Sequence, residues 1–289
     1  MARGYRLGRI WAICAFLRPQ IALQASVYVF VGAYLSGAHM PLISADILGA
    51  VLVVALTVAF GFVINDYVDV ELDRATKPGR PLPSGAVTLG EARVLGVLTA
   101  ALALGVAALV SEPLRLIAWL SLLLTAAYAL WLKRTVLLGN VTIAVLNSLV
   151  LLYGALAGAG PNALVWCLLT TVVSFTLAQE LLYTVDDRAG DQQAGISTTA
   201  VCFGAERTLW LFRLLCGIAA GTSLLPLLLG AGSPLYLVLL VPCTLLPILL
   251  WVIPLTFQRN DAAITAACQA IKRVRVSSLI PLLFLRPFF

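Results

Sequence analysis

Nine long apolar runs constrain the fold of this chain more than any other feature. The length of each run is close to the roughly 20 residues that a helix needs to cross a bilayer. Backbone polar groups in lipid must be satisfied internally, and the residue alternation of a membrane barrel is absent. Hydrophobic residues form 61% of the chain and charged residues only 11%. The sequence therefore predicts an all-α polytopic membrane protein, with spans at 20–38, 47–65, 93–110, 114–132, 139–159, 163–183, 208–230, 234–257 and 269–288.

The basic residues predict the orientation of these spans. With a cytoplasmic N-terminus, all but two of the 19 lysines and arginines fall on the cytoplasmic side. The two exceptions are Arg115 and Arg286. Basic residues concentrate in cytoplasmic loops of membrane proteins. The topology therefore accounts for the net charge of +6, and no nucleic-acid partner is expected.

A first acidic cluster follows the second apolar run. On a continuous helix, Asp66, Asp69 and Asp73 would share one face, whereas Glu71 would point away. Like charges about 6 Å apart repel by roughly 3 kcal/mol per pair at an effective dielectric of about 20. A chain that holds three carboxylates together is therefore expected to hold a cation beside them.

A second acidic cluster follows the sixth run. If that helix continues unbroken, Glu180, Thr184, Asp187 and Asp191 share a face, and Asp186 points away. Glu180 is the acid deepest in the membrane, and such residues are functional candidates. The two clusters lie four spans apart and open to the same side. We therefore expect a single domain, 1–289, in which spans 1–4 and 5–8 form an internal repeat and a ninth span is added.

The residues around both clusters indicate the chemistry. Magnesium is usually held by a few carboxylates together with the phosphates of a substrate. Basic side chains that could bind those phosphates lie close to the acids on the cytoplasmic side, namely Lys77, Arg80, Lys133 and Arg188. An elongated apolar molecule with an anionic head would place its tail between the helices. An isoprenoid diphosphate is such a molecule.

Two consecutive motifs connect the chain to a known family. Residues 65–73 read NDYVDVELD and residues 77–85 read KPGRPLPSG. Together they resemble the first aspartate-rich motif of UbiA-type intramembrane prenyltransferases, which has the form NDxxDxxxD followed by KPxRPxPSG. The resemblance extends over nearly the whole chain. It includes Arg18-Pro19, Tyr128 with Lys133, Gly139-Asn140, and a second motif that ends in Asp187 and Asp191.

The resemblance implies a bundle of nine helices around a central cavity that opens to lipid. It implies Mg2+ between both motifs and a prenyl diphosphate, with catalytic and metal-binding roles for Asp66, Asp69, Asp73, Asp187 and Asp191. It further implies contacts of Asn65, Arg80, Tyr128 and Lys133 with the substrate. Proximity to the acidic motifs adds Lys77, Glu180, Tyr183, Thr184 and Arg188 to the candidate substrate-binding residues.

The second motif departs from the family pattern. The family commonly has KDxxDxxxD, whereas this chain has Tyr183 in place of the lysine and Thr184 in place of the first aspartate. Thr184 retains an oxygen but not the charge. Asp186 could contribute to metal binding only if the helix unwinds there.

The predicted reaction is prenyl transfer to an acceptor, usually an aromatic one in this family, with release of diphosphate. The altered second motif leaves open a terpene cyclase, in which the prenyl cation attacks its own double bonds. An ion-coupled transporter is less favoured, because transporter sites lie near the bilayer midplane. Most of the acids here lie at the cytoplasmic ends of the spans.

Overall fold

Helices form every named secondary-structure element of the part of the chain that the structure describes. The computed structural model describes residues 2–38, 43–258 and 260–285, with side chains from residue 8 onward. The longer helices are α1 (Ala2–Leu17), α2 (Pro19–Leu35), α3 (Ala45–Val68), α5 (Leu89–Ala107), α6 (Glu112–Leu130), α7 (Leu138–Ala157), α8 (Ala163–Asp186), α11 (Ala205–Ser223) and α15 (Asp261–Ser277). The shorter ones are α4 (Val70–Thr76), α9 (Arg188–Gln193), α10 (Thr199–Phe203), α12 (Leu225–Leu228), α13 (Pro234–Leu240), α14 (Ile253–Leu255) and α16 (Leu279–Leu282).

The lengths and hydropathies confirm a multi-pass membrane protein. Within the described residues, seven helices are long and apolar enough to span a bilayer, and the pair Gly8–Leu17 and Pro19–Leu35, bent by 41°, adds an eighth. Segment Pro234–Leu255 counts as one span although it contains two π-helical turns, which accompany Pro242, Pro247 and Pro254. Proline lacks the N–H needed for the helical ladder, and this explains the local widening.

The last predicted span differs from the expectation of 269–288. Helix α15 begins earlier, at Asp261, and is followed by the short α16; residues 286–289 lie outside the described part. One face of α15 is buried, and it packs against α8 and the second π turn through Ile264, Ala267, Cys268, Ile271 and Val274. Its other face carries Lys272 and Arg273. Helix α15, which stands in the place of the predicted ninth span, is therefore amphipathic. Because one face is charged, only part of its surface can contact lipid.

Two glycines bring α2 and α7 into close contact. A Cβ atom on Gly32 would lie 2.2 Å from the carbonyl oxygen of Leu151, and one on Gly154 would lie 2.0 Å from that of Val29. Small residues at such crossings let helix backbones approach closely in membranes. This contact joins the first span of each half of the chain.

Both acidic motifs lie where a helix breaks, which corrects the assumption of continuous helices. Helix α3 ends at Val68, Asp69 leaves the helical conformation with φ −91° and ψ 7°, and α4 follows. Likewise, α8 ends at Asp186, and Asp187 separates it from α9. The acids therefore do not form two straight stripes. The predicted internal repeat stays a prediction.

Helix α5 starts at a pattern, Thr88-x-x-Glu91, that is typical of a helix N-terminus. Thr88 and Glu91 form a capping box at the start of α5, in which each side chain accepts from the backbone N–H of the other residue. Arg9 of α1 also contacts Glu91, so the box fixes the position of α1 beside α5. The loop between α4 and α5 carries Arg80, and the capping box holds the end of this loop that leads into α5.

Candidate active site

Two arginines surround the buried acids of the first motif. Asp66 and Asp73 are only 2% and 3% exposed. Nη2 of Arg18 donates to both carboxylate oxygens of Asp66, at 2.9 and 2.8 Å. Nη1 of Arg80 lies 2.5 Å from Asp73 and 3.6 Å from Asp66. The predicted neighbours Asp66, Asp73 and Arg80 are thus brought together, and their charges compensate each other.

The third acid of this motif contacts a different segment. Nζ of Lys133 donates to Asp69 at 2.6 Å and to the side-chain oxygen of Asn65 at 3.1 Å. Arg134 is more peripheral, at 3.9 Å from Asp69. Burial lowers the pKa of Lys133, while the hydrogen bond to Asp69 acts in the opposite direction. Asn65, Asp69 and Lys133 therefore form a second polar group beside the first.

The turn that carries Lys133 is positioned by a close backbone approach. Lys133 lies in a 3-10 turn, Leu132–Arg134, just before α7. A Cβ atom on Gly139 would lie 2.7 Å from the carbonyl oxygen of Leu132 and 2.9 Å from Cα of Lys133. Only glycine leaves room for this contact. Next along α7, Asn140 accepts a hydrogen bond from Thr199 at 2.8 Å, which links this turn to the segment after the second motif.

Arg18 is a site residue that the sequence prediction did not include. It lies between α1 and α2 in the left-handed region, with φ 51° and ψ 55°. Proline at the next position disfavours a right-handed helical conformation at Arg18. The resulting bend directs the guanidinium towards Asp66 and over the ring of Phe62, 4.3 Å from its centroid. A non-glycine residue with such a backbone is strained, and strain of this kind concentrates at functional sites.

The second acidic motif opens towards the basic residues of the first. Desolvation raises the pKa of Asp187, and the charge of Lys77, which ends α4, is the largest opposing effect. Desolvation also raises the pKa of Asp191, whose carboxylate accepts a hydrogen bond from Thr198 at 3.0 Å. Arg188 has a buried Nε without a hydrogen-bond partner among the described residues. Lys77 therefore lies between the two motifs.

The altered residues of the second motif have other partners. The hydroxyl of Thr184 donates to the carbonyl of Leu181, within its own helix, at 2.8 Å. Asp186 accepts a hydrogen bond from Thr265 of α15 at 2.6 Å. Although α8 does break beside Asp186, this carboxylate is therefore engaged by α15.

A lysine from α15 lies over Tyr183, the residue that replaces the lysine of the family motif. Nζ of Lys272 is 5.0 Å from the centroid of the Tyr183 ring, and the hydroxyl of Tyr183 contacts Gln179. The charge of Lys272 also acts on Asp187. Sequence reasoning did not identify Lys272, because it lies far along the chain from Tyr183. Lys272 comes close to Tyr183 because α15 packs on α8 in the folded protein.

Tyr128 and Glu180 lie between the two motifs. Tyr128 of α6 is within electrostatic range of Asp69, Glu180 and Asp187, which belong to both clusters. Tyr128 is half-buried. A tyrosine combines an apolar ring with a polar hydroxyl, so it suits the boundary between the polar acidic motifs and the apolar interior. The candidate residues of the two motifs therefore converge on one space.

The donor atoms of this space fit magnesium. They are carboxylate and amide oxygens, which is the donor set that Mg2+ prefers. No group of three acidic, histidine or cysteine side chains in the described part of the chain is close enough to hold a metal alone. Magnesium is commonly bound through one or two carboxylates and substrate phosphates, so the arrangement suits a metal that binds with its substrate.

Comparisons with known proteins agree with this geometry. The family model of the UbiA prenyltransferase family matches residues 25–274. The digeranylgeranylglyceryl phosphate synthase of Sulfurisphaera tokodaii is 31% identical over 216 residues, which are 74% of this chain and 77% of the relative. The protein of the same name from Methanoculleus marisnigri is 36% identical over 221 residues, with coverage of 74% and 77%.

Solved structures show the same fold. A structure described as digeranylgeranylglyceryl phosphate synthase in membranes has a TM-score of 0.76 and 26% identity, and the match covers 95% of this chain and 97% of that one. A UbiA homologue from Archaeoglobus fulgidus bound to GPP and Mg2+ has a TM-score of 0.65, 18% identity and coverage of 92% and 99%. At this lower identity the likeness concerns the fold alone.

Proposed function

The chain belongs to the UbiA prenyltransferase family, and we propose that it transfers a geranylgeranyl group from its diphosphate to a prenylated glyceryl phosphate, with magnesium. The relatives that are 31% to 36% identical are named for a glyceryl phosphate that carries two geranylgeranyl groups. These names do not support the aromatic acceptor expected from the sequence. A glyceryl phosphate with one free hydroxyl is the acceptor that such a product requires.

The observation that carries this proposal is the pairing of every first-motif aspartate with a basic side chain from a different segment. Arg18 precedes α2, Arg80 lies in the loop after α4, and Lys133 lies before α7. Each of these three carboxylates is thus matched by a positive group. The site can receive a metal–diphosphate complex by exchanging partners: arginine and lysine bind phosphate oxygens, and the carboxylates face the metal.

The first chemical step is cleavage of the allylic C–O bond, and the electron pair leaves with the diphosphate. Arg18, Arg80, Lys133 and Lys77 stabilise the negative charge that develops on the leaving group. When bound, magnesium supplies Lewis-acid stabilisation of the same diphosphate oxygens. Tyr128 presents an aromatic side chain to the prenyl cation beneath the acids.

The second step forms the ether bond between the acceptor oxygen and the prenyl carbon. The acceptor hydroxyl loses its proton in this step, and Glu180 is the base that we assign. On α8, Glu180 lies one helical turn before Thr184 and two turns before Asp187, which follows the end of that helix. It is also within electrostatic range of Tyr128. In a site that excludes water, a carboxylate at this depth is positioned to accept that proton.

Lys272 completes the second motif in this proposal. The family pattern places a lysine at the position of Tyr183, and here Lys272 of α15 lies over the Tyr183 ring. A positive charge from the last long helix thus compensates for the residue that the motif lacks. The distribution of basic residues further supports a cytoplasmic N-terminus and a mouth on the same side.

Product analysis tests the proposal. Purified protein is incubated with magnesium and geranyl, farnesyl or geranylgeranyl diphosphate, and with either a geranylgeranylglyceryl phosphate or an aromatic carboxylic acid. We expect a diether phosphate from the geranylgeranyl donor and the glyceryl phosphate, identified by mass spectrometry. Prenylation of the aromatic acid alone would contradict the acceptor assignment.

The cyclase alternative is tested in the same assay. Thr184 in place of an aspartate is the observation that favours it, since the second motif loses one carboxylate. Reactions without any acceptor are extracted and searched for cyclic hydrocarbons and alcohols. We expect none above the level of an Asp66→Asn variant; their accumulation would replace the transferase proposal by a cyclase.

A further inference from the structure

An apolar cavity lies in the second half of the bundle, apart from the first acidic motif. It has a volume of about 120 Å³ and is open on one side. Its walls come from α2, α7, α8, α11, the Pro234–Leu255 segment and α15. Most lining side chains are aliphatic or aromatic, for example Val172 and Phe175. Against this apolar lining, a few polar groups stand out.

Three polar side chains of this cavity have buried atoms without a hydrogen-bond partner among the described residues. They are Nε of Arg275, Nε2 of Gln24 and Oγ1 of Thr244. The one hydrogen bond that the structure records for the Arg275 guanidinium goes to Oε1 of Gln24, at a long 3.4 Å. Buried polar atoms are nearly always hydrogen-bonded in proteins, so three unpaired ones around one cavity require an explanation.

The charge of Arg275 is also uncompensated at contact distance. Among the described residues, no carboxylate forms an ion pair with it, unlike Arg18, Arg80 and Lys133 at the mouth. Arg275 is nevertheless within electrostatic range of Glu180 and Tyr28. The guanidinium therefore lines the cavity within electrostatic range of the proposed base.

We propose that Arg275 and Gln24 bind the phosphate of the acceptor. Guanidinium groups bind phosphate oxygens through paired, charge-assisted hydrogen bonds, and the amide N–H of Gln24 adds a further donor. The phosphate would be held next to Glu180, so that the neighbouring hydroxyl of the glycerol unit faces the base. The prenyl chain of the acceptor lies along the apolar walls. This assignment rests on the proposed function. It places residues that determine acceptor specificity outside both aspartate-rich motifs.

The first test separates acceptor binding from donor binding. Arg275→Gln and wild type are compared for the KM of geranylgeranylglyceryl phosphate and of geranylgeranyl diphosphate. We expect the acceptor KM to rise roughly 10- to 100-fold, the range for hydrogen bonds to charged groups, with the donor KM unchanged. Arg273→Gln, an exposed neighbour on the same helix, is the matched control with both values unchanged. A rise in the donor KM alone would overturn the assignment.

A second variant excludes a merely structural role. Gln24→Glu keeps the size of the side chain and offers Arg275 a carboxylate, so the folded protein should become more stable to heat. We expect the acceptor KM to rise as in Arg275→Gln, because the new charge repels phosphate and occupies the guanidinium. If Gln24→Glu is more stable and binds the acceptor as wild type does, Arg275 has no part in acceptor binding.

Direct binding distinguishes failure of this site from failure of the proposed function. A long-chain glyceryl phosphate monoether, and the same monoether without phosphate, are titrated into donor-free protein in detergent. We expect the phosphate to strengthen binding to wild type roughly 10- to 100-fold and to give no advantage in Arg275→Gln. An equal advantage in both proteins overturns the site. Binding with this pattern but without any product would instead refute the proposed reaction.

Discussion

Nη2 of Arg18 donates to both carboxylate oxygens of Asp66, from a left-handed backbone conformation with φ 51° directly before Pro19. This contact joins the break between α1 and α2 to the deepest aspartate of the first motif. It positions one cation at the mouth before any substrate is present. The proposed reaction requires that this cation leave Asp66 and bind a phosphate oxygen.

Replacing Arg18 by glutamine is expected to lower both stability and activity. Breaking a buried ion pair on one side costs about 3–5 kcal/mol where the remaining charge has no other partner, whereas here Arg80 stays 3.6 Å from Asp66. Because the Arg18 side chain is 23% exposed, we expect the lower end of that range. Thermal unfolding in detergent and steady-state kinetics measure the two effects. Arg18→Gln combined with Asp66→Asn should regain stability but not activity; regained activity would show that the pair is only structural.

Replacing Lys133 by glutamine is expected to reduce turnover more than the same change at Arg134. Lys133 contacts Asp69 at 2.6 Å with its side chain 11% exposed, whereas Arg134 is 3.9 Å away and 51% exposed. We expect a loss in kcat/KM of roughly 100-fold for Lys133→Gln, as for a hydrogen bond to a charged group. Arg134→Gln should change it a few-fold at most, because exposed pairs contribute little. Equal losses in the two variants would contradict the assignment of Lys133 to the diphosphate.

Replacing Gly139 by alanine is expected to reduce activity as the loss of the Lys133 side chain does, although Lys133 itself is still present. The added methyl group would collide with the backbone of Leu132 and Lys133 and displace the turn. Overpacking of this kind costs about 1–3 kcal/mol. The kinetics of Gly139→Ala should therefore resemble those of Lys133→Gln. Gly217→Ala is the control, since no atom lies within 4 Å of its added carbon; similar losses in both variants would refute the role of the turn.

Replacing Lys272 by glutamine is expected to lower kcat/KM, and a lysine at position 183 is expected to restore it. Charge-assisted hydrogen bonds are about twice as strong as neutral ones, so we expect a loss of about 10-fold. The double variant Tyr183→Lys, Lys272→Gln returns the charge to the position of the family motif. Steady-state kinetics with both substrates measure the effect. A double variant no more active than Lys272→Gln would show that Lys272 does not compensate for the altered motif.

Chelation is expected to stop the reaction without unfolding the protein. The described residues contain no acidic trio that could bind a metal alone, so we expect the metal to bind together with the substrate. EDTA should abolish activity and leave the unfolding temperature unchanged. Magnesium with a non-hydrolysable prenyl diphosphate analogue should raise that temperature more than either alone, because a ligand stabilises the state that binds it. Additive shifts from the two ligands would contradict joint binding.

Local sequence patterns predicted the helical fold, the capping box and the two acidic clusters. These features depend on residues a few positions apart, which hydrophobic periodicity and motif spacing report directly. The change of backbone dihedrals at Asp69 was not predicted, since carboxylates spaced for a helical face do not reveal it. The end of α8 at Asp186 was not predicted either. The predicted stripe of Asp66, Asp69 and Asp73 is in fact divided between Arg80 and Lys133.

Contacts between distant segments could not be read from the sequence. Arg18 and Asp66 are 48 positions apart, and Gln24 and Arg275 are 251 apart. Each contact depends on how α2, α3, α8 and α15 pack, which periodicity does not specify. One signal for Arg18 was present, namely its position directly before Pro19. For Arg275 the signal was a basic residue inside a predicted span, where charges mark functional sites.

The release of diphosphate with and without acceptor tests the central claim most directly. Purified protein with magnesium and geranylgeranyl diphosphate is followed in a single assay that quantifies diphosphate and all prenyl products. We predict slow release without acceptor, and fast release with geranylgeranylglyceryl phosphate that matches the diether phosphate one to one. Fast release without acceptor, together with a cyclic terpene product, would contradict prenyl transfer at this site.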